Sequence, residues 1–385
     1  MKRLCFLVDS IFSIGGVQRV TAVMARQLAD YYDVTIVTLE DEKCHNVAMY
    51  GLSDKPITFR HFKYPDTPWW KMLFCKAYSM LYRKVLPKTR LTAALYAHSS
   101  FPSQKRNALA AELRSGGYAC VIGVHAPLAV RLASLRRQLK GVQLMGWIHN
   151  SYEALFGKGS LYIGPELRQH YEWQLEKLDA TVVLSKDDAR KYHFPTHIIY
   201  NPLTLQPDKR SDGTSRKFLA VGRFSHRHKG FDLLIEAFAK VAKRLPEWTL
   251  HIVGEGVEEP LYRELMARYG IADRVIIHPF TNNVQQYYSE AQVYVLSSRW
   301  EGFGLVLVEA MAHGLTVVSS DLPTSKEIMG TFGIYFENGN VEQLAERLVE
   351  AAQCDFNSRA DTAVEIAARF DVKEITWQWR QLIDM

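Results

Sequence analysis

Short apolar runs and longer amphipathic runs alternate along this chain of 385 residues, and the alternation starts twice. The first series opens with RLCFLVD, a glycine turn SIGGVQ, the amphipathic run RVTAVMARQLADYY and a second apolar run, VTIVTL. That order predicts strand, turn, helix, strand. ACVIGV, QLMGWIH and ATVVLS read as further strands. Residues 201–217, NPLTLQPDKRSDGTSRK, are polar and rich in Pro, Gly and Ser, and read as a linker. The series then restarts: strands at FLAVGR, TLHIVGEG, RVIIHPF, VYVLSS and TVVSSD are separated by helices at FDLLIEAFAKVAKRL, LYRELMARYG, VQQYYSEA and FGLVLVEAMAHG. Strands separated by helices form parallel sheets covered on both faces. The expected fold is therefore α/β, with two Rossmann-like doubly wound domains facing across a cleft. The expected bounds are 1–200, the linker 201–217, 218–370, and a last helix, 371–385, that returns to the first domain.

The length supports two cores rather than one. No apolar run approaches the roughly 18–20 residues needed to span a bilayer. The start, MKRLCFLVDS, imitates a signal peptide, but Asp9 ends its apolar stretch too early, so it reads as a buried strand. The five cysteines are scattered without any C-x-x-C, which fits free thiols in a reducing cytoplasm. Charge is uneven. Residues 1–200 carry 27 Lys and Arg against 16 Asp and Glu, whereas 201–385 carry 20 against 25. The two halves are expected to meet different partners.

Ligands of doubly wound sheets bind beyond the carboxyl ends of the strands, so the informative residues are those just after each strand. Glu301 follows VYVLSS, and Gly302 and Gly304 leave amides unshielded at the start of the next helix, an anion-binding arrangement. As a mere first-turn charge Glu301 would add only about 0.3–1 kcal/mol. That does not account for Glu309, an acid inside LVLVEAMA that must be paired or bind a ligand hydroxyl. Arg223 and Lys229 flank RFSHRHKG after another strand; a diphosphate needs such cations, although a solvated basic loop has the same composition. Gly15 and Gly16 follow the first strand and fit either a tight turn or close approach of a ligand. A dehydrogenase would need G-x-G-x-x-G, which is not met, and an acid after the second strand, where Glu40 stands. His149, which closes MGWIH, and His125 after VIGV sit where an imidazole can serve a sugar hydroxyl, or be structural. There is no D-x-D and no cluster at metal-ligand spacing, so no metal is expected.

GGVQR, VGRFSHRHKG and EGFGLVLVEAMAHG, in that order over nearly the whole chain, resemble glycosyltransferase family 4, retaining enzymes of the GT-B fold that use nucleotide sugars. The resemblance implies that Glu309 holds the ribose hydroxyls and Glu301 lies beside the transferred sugar. It implies that the amides of Gly302, Phe303, Gly304 and Leu305 meet the diphosphate or the sugar. Arg223 and Lys229 would stabilise the departing diphosphate, and Gly15 and Gly16 would approach it. His149 would stand near sugar and acceptor, and the strand end from His278 to Phe280 would hold the base through its main chain. The chain departs from the family in reading IYNPL where Asn-Gly is common, and in an extra His and Arg in the 223–229 loop.

The function so implied is transfer of a hexose or N-acetylhexosamine from a nucleotide sugar, UDP-linked as is common in the family, to a saccharide acceptor. No cofactor is expected, because the nucleotide sugar is a substrate, and no nucleic-acid partner is expected. A nucleotide-sugar epimerase, a phosphorylase or a non-catalytic nucleotide-sugar binder would use a related fold. Residues 69–90, WWKMLFCKAYSMLYRKVLPKTR, mix aromatic and apolar side chains with Lys and Arg and hold no acid. They read either as a helix packed on the first domain or as a surface lying on the anionic inner face of the cytoplasmic membrane. The second reading brings with it a lipid-linked acceptor of cell-surface polysaccharide assembly.

Overall fold

A computed structural model describes residues 1–160, 162–224 and 228–385. The chain divides into two units, Met1–Pro202 with Val372–Met385, and Leu203–Asp371. Each is built on one parallel sheet.

The first unit contains β1 (Arg3–Val8), β2 (Asp33–Thr38), β3 (Thr58–His61), β4 (Cys120–Val124), β5 (Gln143–Trp147), β6 (Ala180–Val183) and β7 (His197–Ile198), in the order β3-β2-β1-β4-β5-β6-β7. The apolar start of the chain is β1, a buried central strand flanked by β2 and β4. Leu4, Phe6 and Leu7 are fully enclosed because helices cover both faces of the sheet. The helix Val372–Asp384 belongs to this unit. Its Trp379 packs against Trp147 with ring centroids 4.8 Å apart, and Asp384 accepts from Lys2 and from the Tyr32 hydroxyl, both at 2.9 Å.

The second unit contains β8 (Lys217–Val221), β9 (Thr249–Val253), β10 (Val275–His278), β11 (Val293–Leu296), β12 (Thr316–Ser320) and β13 (Ile334–Phe336), in the order β10-β9-β8-β11-β12-β13. Phe218, Phe238, Trp248 and Leu250 lie in its core. In both units the strand order reverses beside the first strand. The switch points therefore lie at β1/β4 and at β8/β11, where doubly wound sheets open a crevice at their carboxyl ends.

The stretch read as a linker, 201–217, is divided by the structure. The units part between Pro202 and Leu203, and Lys217 already belongs to β8. Between them the chain is tied to the second unit. Leu203 N donates to Phe370 O at 2.7 Å, Thr204 Oγ1 to Glu309 at 3.2 Å, and Ser211 N to His313 O at 3.0 Å. Its Ser and Thr content serves hydrogen bonds to the domain, so the polar composition marks a strap. Among the described residues, no helix is long and apolar enough to cross a membrane.

Candidate functional site

The β8/β11 switch point brings Lys229 and Glu301 together. Lys229 Nζ lies 2.6 Å from Glu301 Oε1, and the same oxygen accepts from Ser298 Oγ at 2.7 Å. His228 Nε2 stands 3.7 Å away, with its ring stacked on Trp300 at 5.2 Å. Glu301 is 9% exposed. Burial alone would raise its pKa, but the Lys229 ammonium and the His228 ring hold it well below the usual carboxylate range. Glu301 is thus a fixed anion at physiological pH. It can hold a cation or accept from hydroxyls, but it carries no proton to donate.

Local backbone fixes this pair. Gly230, at φ +64°, follows Lys229, and a Cβ there would sit 2.1 Å from Ser297 O. Only glycine lets the 229–230 turn lie flat on the end of β11, where Ser297 Oγ donates to Lys229 O at 2.8 Å. On the other side, Arg299 holds Asp232 through two hydrogen bonds of 3.0 and 2.9 Å. The GEG segment after β9 serves a close approach of two loops. A Cβ at Gly254 would meet Gly222 O at 1.9 Å, and Phe224 N donates to Glu255 O at 2.8 Å. Arg223 lies exposed in the β8 loop. Of the extra loop residues, His226 and Arg227 lie outside the described residues.

The helix Leu305–Ala312 begins at Gly304, whose φ is 85° and which supplies no side-chain cap. Gly302 and Leu305 are half-buried, and Phe303 is buried against Phe370 at 5.6 Å. Inside that helix Glu309 is 1% exposed. Its Oε2 accepts from the Tyr288 hydroxyl at 3.0 Å and its Oε1 from Thr204 at 3.2 Å. The acid in the apolar run is therefore paired with hydroxyl donors. His278, at the end of β10, stacks on His251 with their ring nitrogens 2.9 Å apart, and its carbonyl accepts from Gly254 N at 3.0 Å. Burial and the Lys217 charge lower the His278 pKa. Phe280, just beyond, is exposed.

In the first unit, Gly16 opens the helix Gly16–Leu28, and Gly15 N donates to the Tyr50 hydroxyl at 3.0 Å. Gly15 itself is extended, at φ 176°. Glu40 accepts from the amides of Ile11 and Phe12 at 2.7 and 3.0 Å. The acid that a dehydrogenase would use for ribose thus closes the loop after β1. His149 is 6% exposed and lies on Trp147 at 4.3 Å, edge-on to His125 at 5.4 Å. Among the described residues neither of its ring nitrogens has a hydrogen-bond partner. Burial, aided by His125, pushes its pKa well down, so the ring is neutral at pH 7. His125 itself holds φ 74°, a conformation uncommon for a residue with a Cβ.

Four participants escaped sequence reasoning: Ser298, His228, Tyr288 and Thr204. Ser298 and His228 were visible as neighbours of the two charged residues. Tyr288 carried no signal beyond its place in a short helix, and Thr204 was hidden in the supposed linker. Among the described residues, no group of three or more His, Cys, Asp or Glu side chains is placed to hold a metal ion.

Residues 215–353 match the family model described as Glycosyl transferases group 1. An uncharacterized glycosyltransferase of Haemophilus influenzae is 27% identical over 363 residues, spanning 90% of this chain and 90% of that protein. The lipopolysaccharide core biosynthesis mannosyltransferase LpsB of Rhizobium meliloti is 28% identical over 182 residues, 42% of this chain and 52% of its own length. Alr3699/HepE of Anabaena, solved in complex with UDP, superposes over 100% of both chains with a TM-score of 0.75 at 20% identity. That likeness shows the fold, GT-B, and the family match gives the second unit a glycosyltransferase domain.

Proposed function

We propose that this chain, with its glycosyltransferase domain over residues 215–353, is a retaining glycosyltransferase. It moves a hexose or N-acetylhexosamine from a UDP-linked sugar to a lipid-linked saccharide in cell-surface polysaccharide synthesis. The observation that carries this reading is the Lys229–Glu301 pair at the switch point of the second sheet. The UDP in the Anabaena neighbour and the lipopolysaccharide role in the name of the Rhizobium relative support the donor and acceptor classes.

The chemistry follows from the charges. When the anomeric carbon–oxygen bond breaks, its electron pair leaves with the diphosphate and the sugar carbon becomes cationic. An acceptor hydroxyl oxygen then bonds to that carbon and releases its proton. Lys229 has three donors and spends one on Glu301, so the ammonium is held in place while still facing an anion. Arg223, on the same loop, adds a second cation to the diphosphate. Glu301, ionised by its surroundings, faces the sugar and opposes its positive charge. Glu309 takes the ribose hydroxyls, donors of the same kind as the Tyr288 and Thr204 hydroxyls it already accepts. The amides of Gly302 to Leu305 serve anionic oxygens, and the strand end from His278 to Phe280 holds the base. In the first unit, Gly15, Gly16 and neutral His149 are the residues that the family resemblance assigns to the diphosphate, the sugar and the acceptor. The reaction uses no metal.

The test is a turnover screen of UDP- and GDP-sugars with saccharide acceptors, with the product linkage determined by NMR. Transfer with retention is expected. Arg223→Ala and Lys229→Ala should each lower turnover about 100-fold with a smaller change in donor affinity, because the charge they meet grows in the transition state. Epimerised or hydrolysed donor without a transfer product would sink the reading.

A further inference from the structure

The helix Trp69–Lys84 turns the wrong side outward for a packed helix. Only Tyr82 is buried. Its inward stripe is Tyr78, Ser79 and Tyr82. Tyr78 Oη donates to Thr92 O at 3.0 Å, Ser79 Oγ meets Ser99 Oγ at 3.3 Å, and Tyr82 stacks on Tyr96 at 4.6 Å. The outward side is the more apolar one. Trp69 is 71% exposed, Phe74 74% and Leu73 56%, with Trp70, Met80 and Leu81 also exposed. The next helix, Arg90–Ser100, adds exposed Leu91 and Leu95. A folded protein rarely leaves so large a contiguous apolar face to water.

The occupant of this face is specified by charge. No acid lies within 69–90. Lys76 and Lys84 are exposed among the apolar side chains, and Arg83 is too, with a long 3.8 Å contact to half-exposed Glu166. A groove of about 600 Å³ opens along the helix, lined by Met72, Met80, Lys76, Arg83, Lys84 and, from a neighbouring helix, Lys105. Lys88 is not part of this set. It donates to the carbonyls of Tyr82 and Leu86 and lies over the Tyr82 ring, closing the helix end. Apolar side chains with cations among them and beside them, on a helix too short and too charged to cross a bilayer, match the interfacial zone of an anionic membrane.

We infer that the outward face of the helix Trp69–Lys84 docks on an anionic phospholipid surface. Trp69, Trp70, Leu73 and Phe74 enter the acyl boundary while Lys76, Arg83, Lys84 and Lys105 meet lipid phosphates. The inference deepens the lipid-linked acceptor of the proposed function, since such an acceptor is presented at a membrane. It does not depend on turnover.

The test uses the full chain and empty vesicles, without donor or acceptor, so its outcome is separate from that of the transfer assay. Sedimentation is measured with phosphatidylcholine vesicles and with vesicles containing phosphatidylglycerol, at low and high salt. Strong binding is expected only to the anionic vesicles at low salt. Each cation contributes roughly fivefold, so Lys76→Gln/Arg83→Gln/Lys84→Gln should weaken binding on the order of 100-fold. Leu73→Ser/Phe74→Ser should weaken it at least tenfold at unchanged charge, since each buried methylene contributes about fourfold. These side chains are exposed, so unaltered melting is expected and is checked. Wild-type binding that ignores lipid charge, variants that bind like wild type, or a self-association that hides this face and leaves the vesicles untouched would each overturn the inference.

Discussion

Glu301 and Glu309 stand eight residues apart in one apolar stretch, yet they meet different partners. Glu301 faces a cation, Lys229, at 2.6 Å, whereas Glu309 faces the neutral hydroxyls of Tyr288 and Thr204. Their substitutions should therefore separate. Glu301→Gln keeps the shape but removes the charge that fixes Lys229. Turnover should fall about 10- to 100-fold, with nucleotide binding by calorimetry much less affected. An unchanged turnover would remove Glu301 from the chemistry. Glu309→Ala removes the carboxylate that accepts from the buried Tyr288 hydroxyl and the half-buried Thr204 hydroxyl, and takes away the ribose partner. Losing a charge-assisted hydrogen bond costs about 1.5–3 kcal/mol. UDP affinity should drop by roughly that amount and the melting temperature should fall with it. A folded variant with wild-type UDP affinity would show that Glu309 is structural only. Both acids were legible in the sequence, because an acid within glycine and apolar residues requires a partner. The partners were not. Hydroxyl donors such as Thr204 and Ser298 carry no charge or periodicity that marks them in advance, and only the fold brings them near.

Elements that cross the middle of each sheet were legible as runs of buried residues: β1, β4, β5, β9, β11 and β12 fall within predicted strands, and β2 and β8 start one residue earlier than predicted, at Asp33 and Lys217. The short strands β3 and β7 at the edges of the first sheet, and β13 at the edge of the second, were not. They hold four, two and three residues, too few to show a period, and unlike the equally short β10, whose VIIH is a run of apolar residues, TFRH, HI and IYF are broken by polar neighbours or end at once. The amphipathic character of residues 69–84 was legible too, but not its orientation. The sequence left a packed helix and a membrane-facing surface both open, and the structure packs Tyr78, Ser79 and Tyr82 inward. The connection from β8 to its helix is the element on which the candidate site depends, and Gly230 is its test. Alanine at φ +64° costs about 1–2 kcal/mol in backbone strain alone, before the contact with Ser297 O is relieved. Gly230→Ala should lower urea stability by at least that much. It should also reduce turnover more than tenfold, because moving the turn carries Lys229 away from Glu301. Wild-type turnover in this variant would mean that the placement of Lys229 is not set by the turn.

At the scale of the whole molecule, both units bury imidazoles, and this sets how the chain responds to acid. Burial holds His170, in the first unit, and His251, in the second, down to about 4, and pushes His149 well below its ordinary value. An unfolded chain protonates these rings near pH 6.5. Between 6.5 and about 4, the unfolded state therefore binds protons that the folded state refuses, and stability falls as the pH falls. The slope is at most about 1.4 kcal/mol per pH unit for each ring, and less for the partly exposed His251. Glu301 acts in the same direction but lower. Its pKa is depressed in the folded state, so its contribution is complete above the unfolded carboxylate value of about 4.5 and is lost as the pH falls below it. Thermal melts should thus be level above pH 7, decline from about 6.5, and steepen below 4.5. Because the imidazoles lie in both units, hydrogen exchange at pH 5 should show weakened protection in β4–β6 and in β8–β10 alike. Melting temperatures that stay level down to pH 4.5 would show that these rings accept protons in the folded chain, and that their burial is not the cost inferred from the structure.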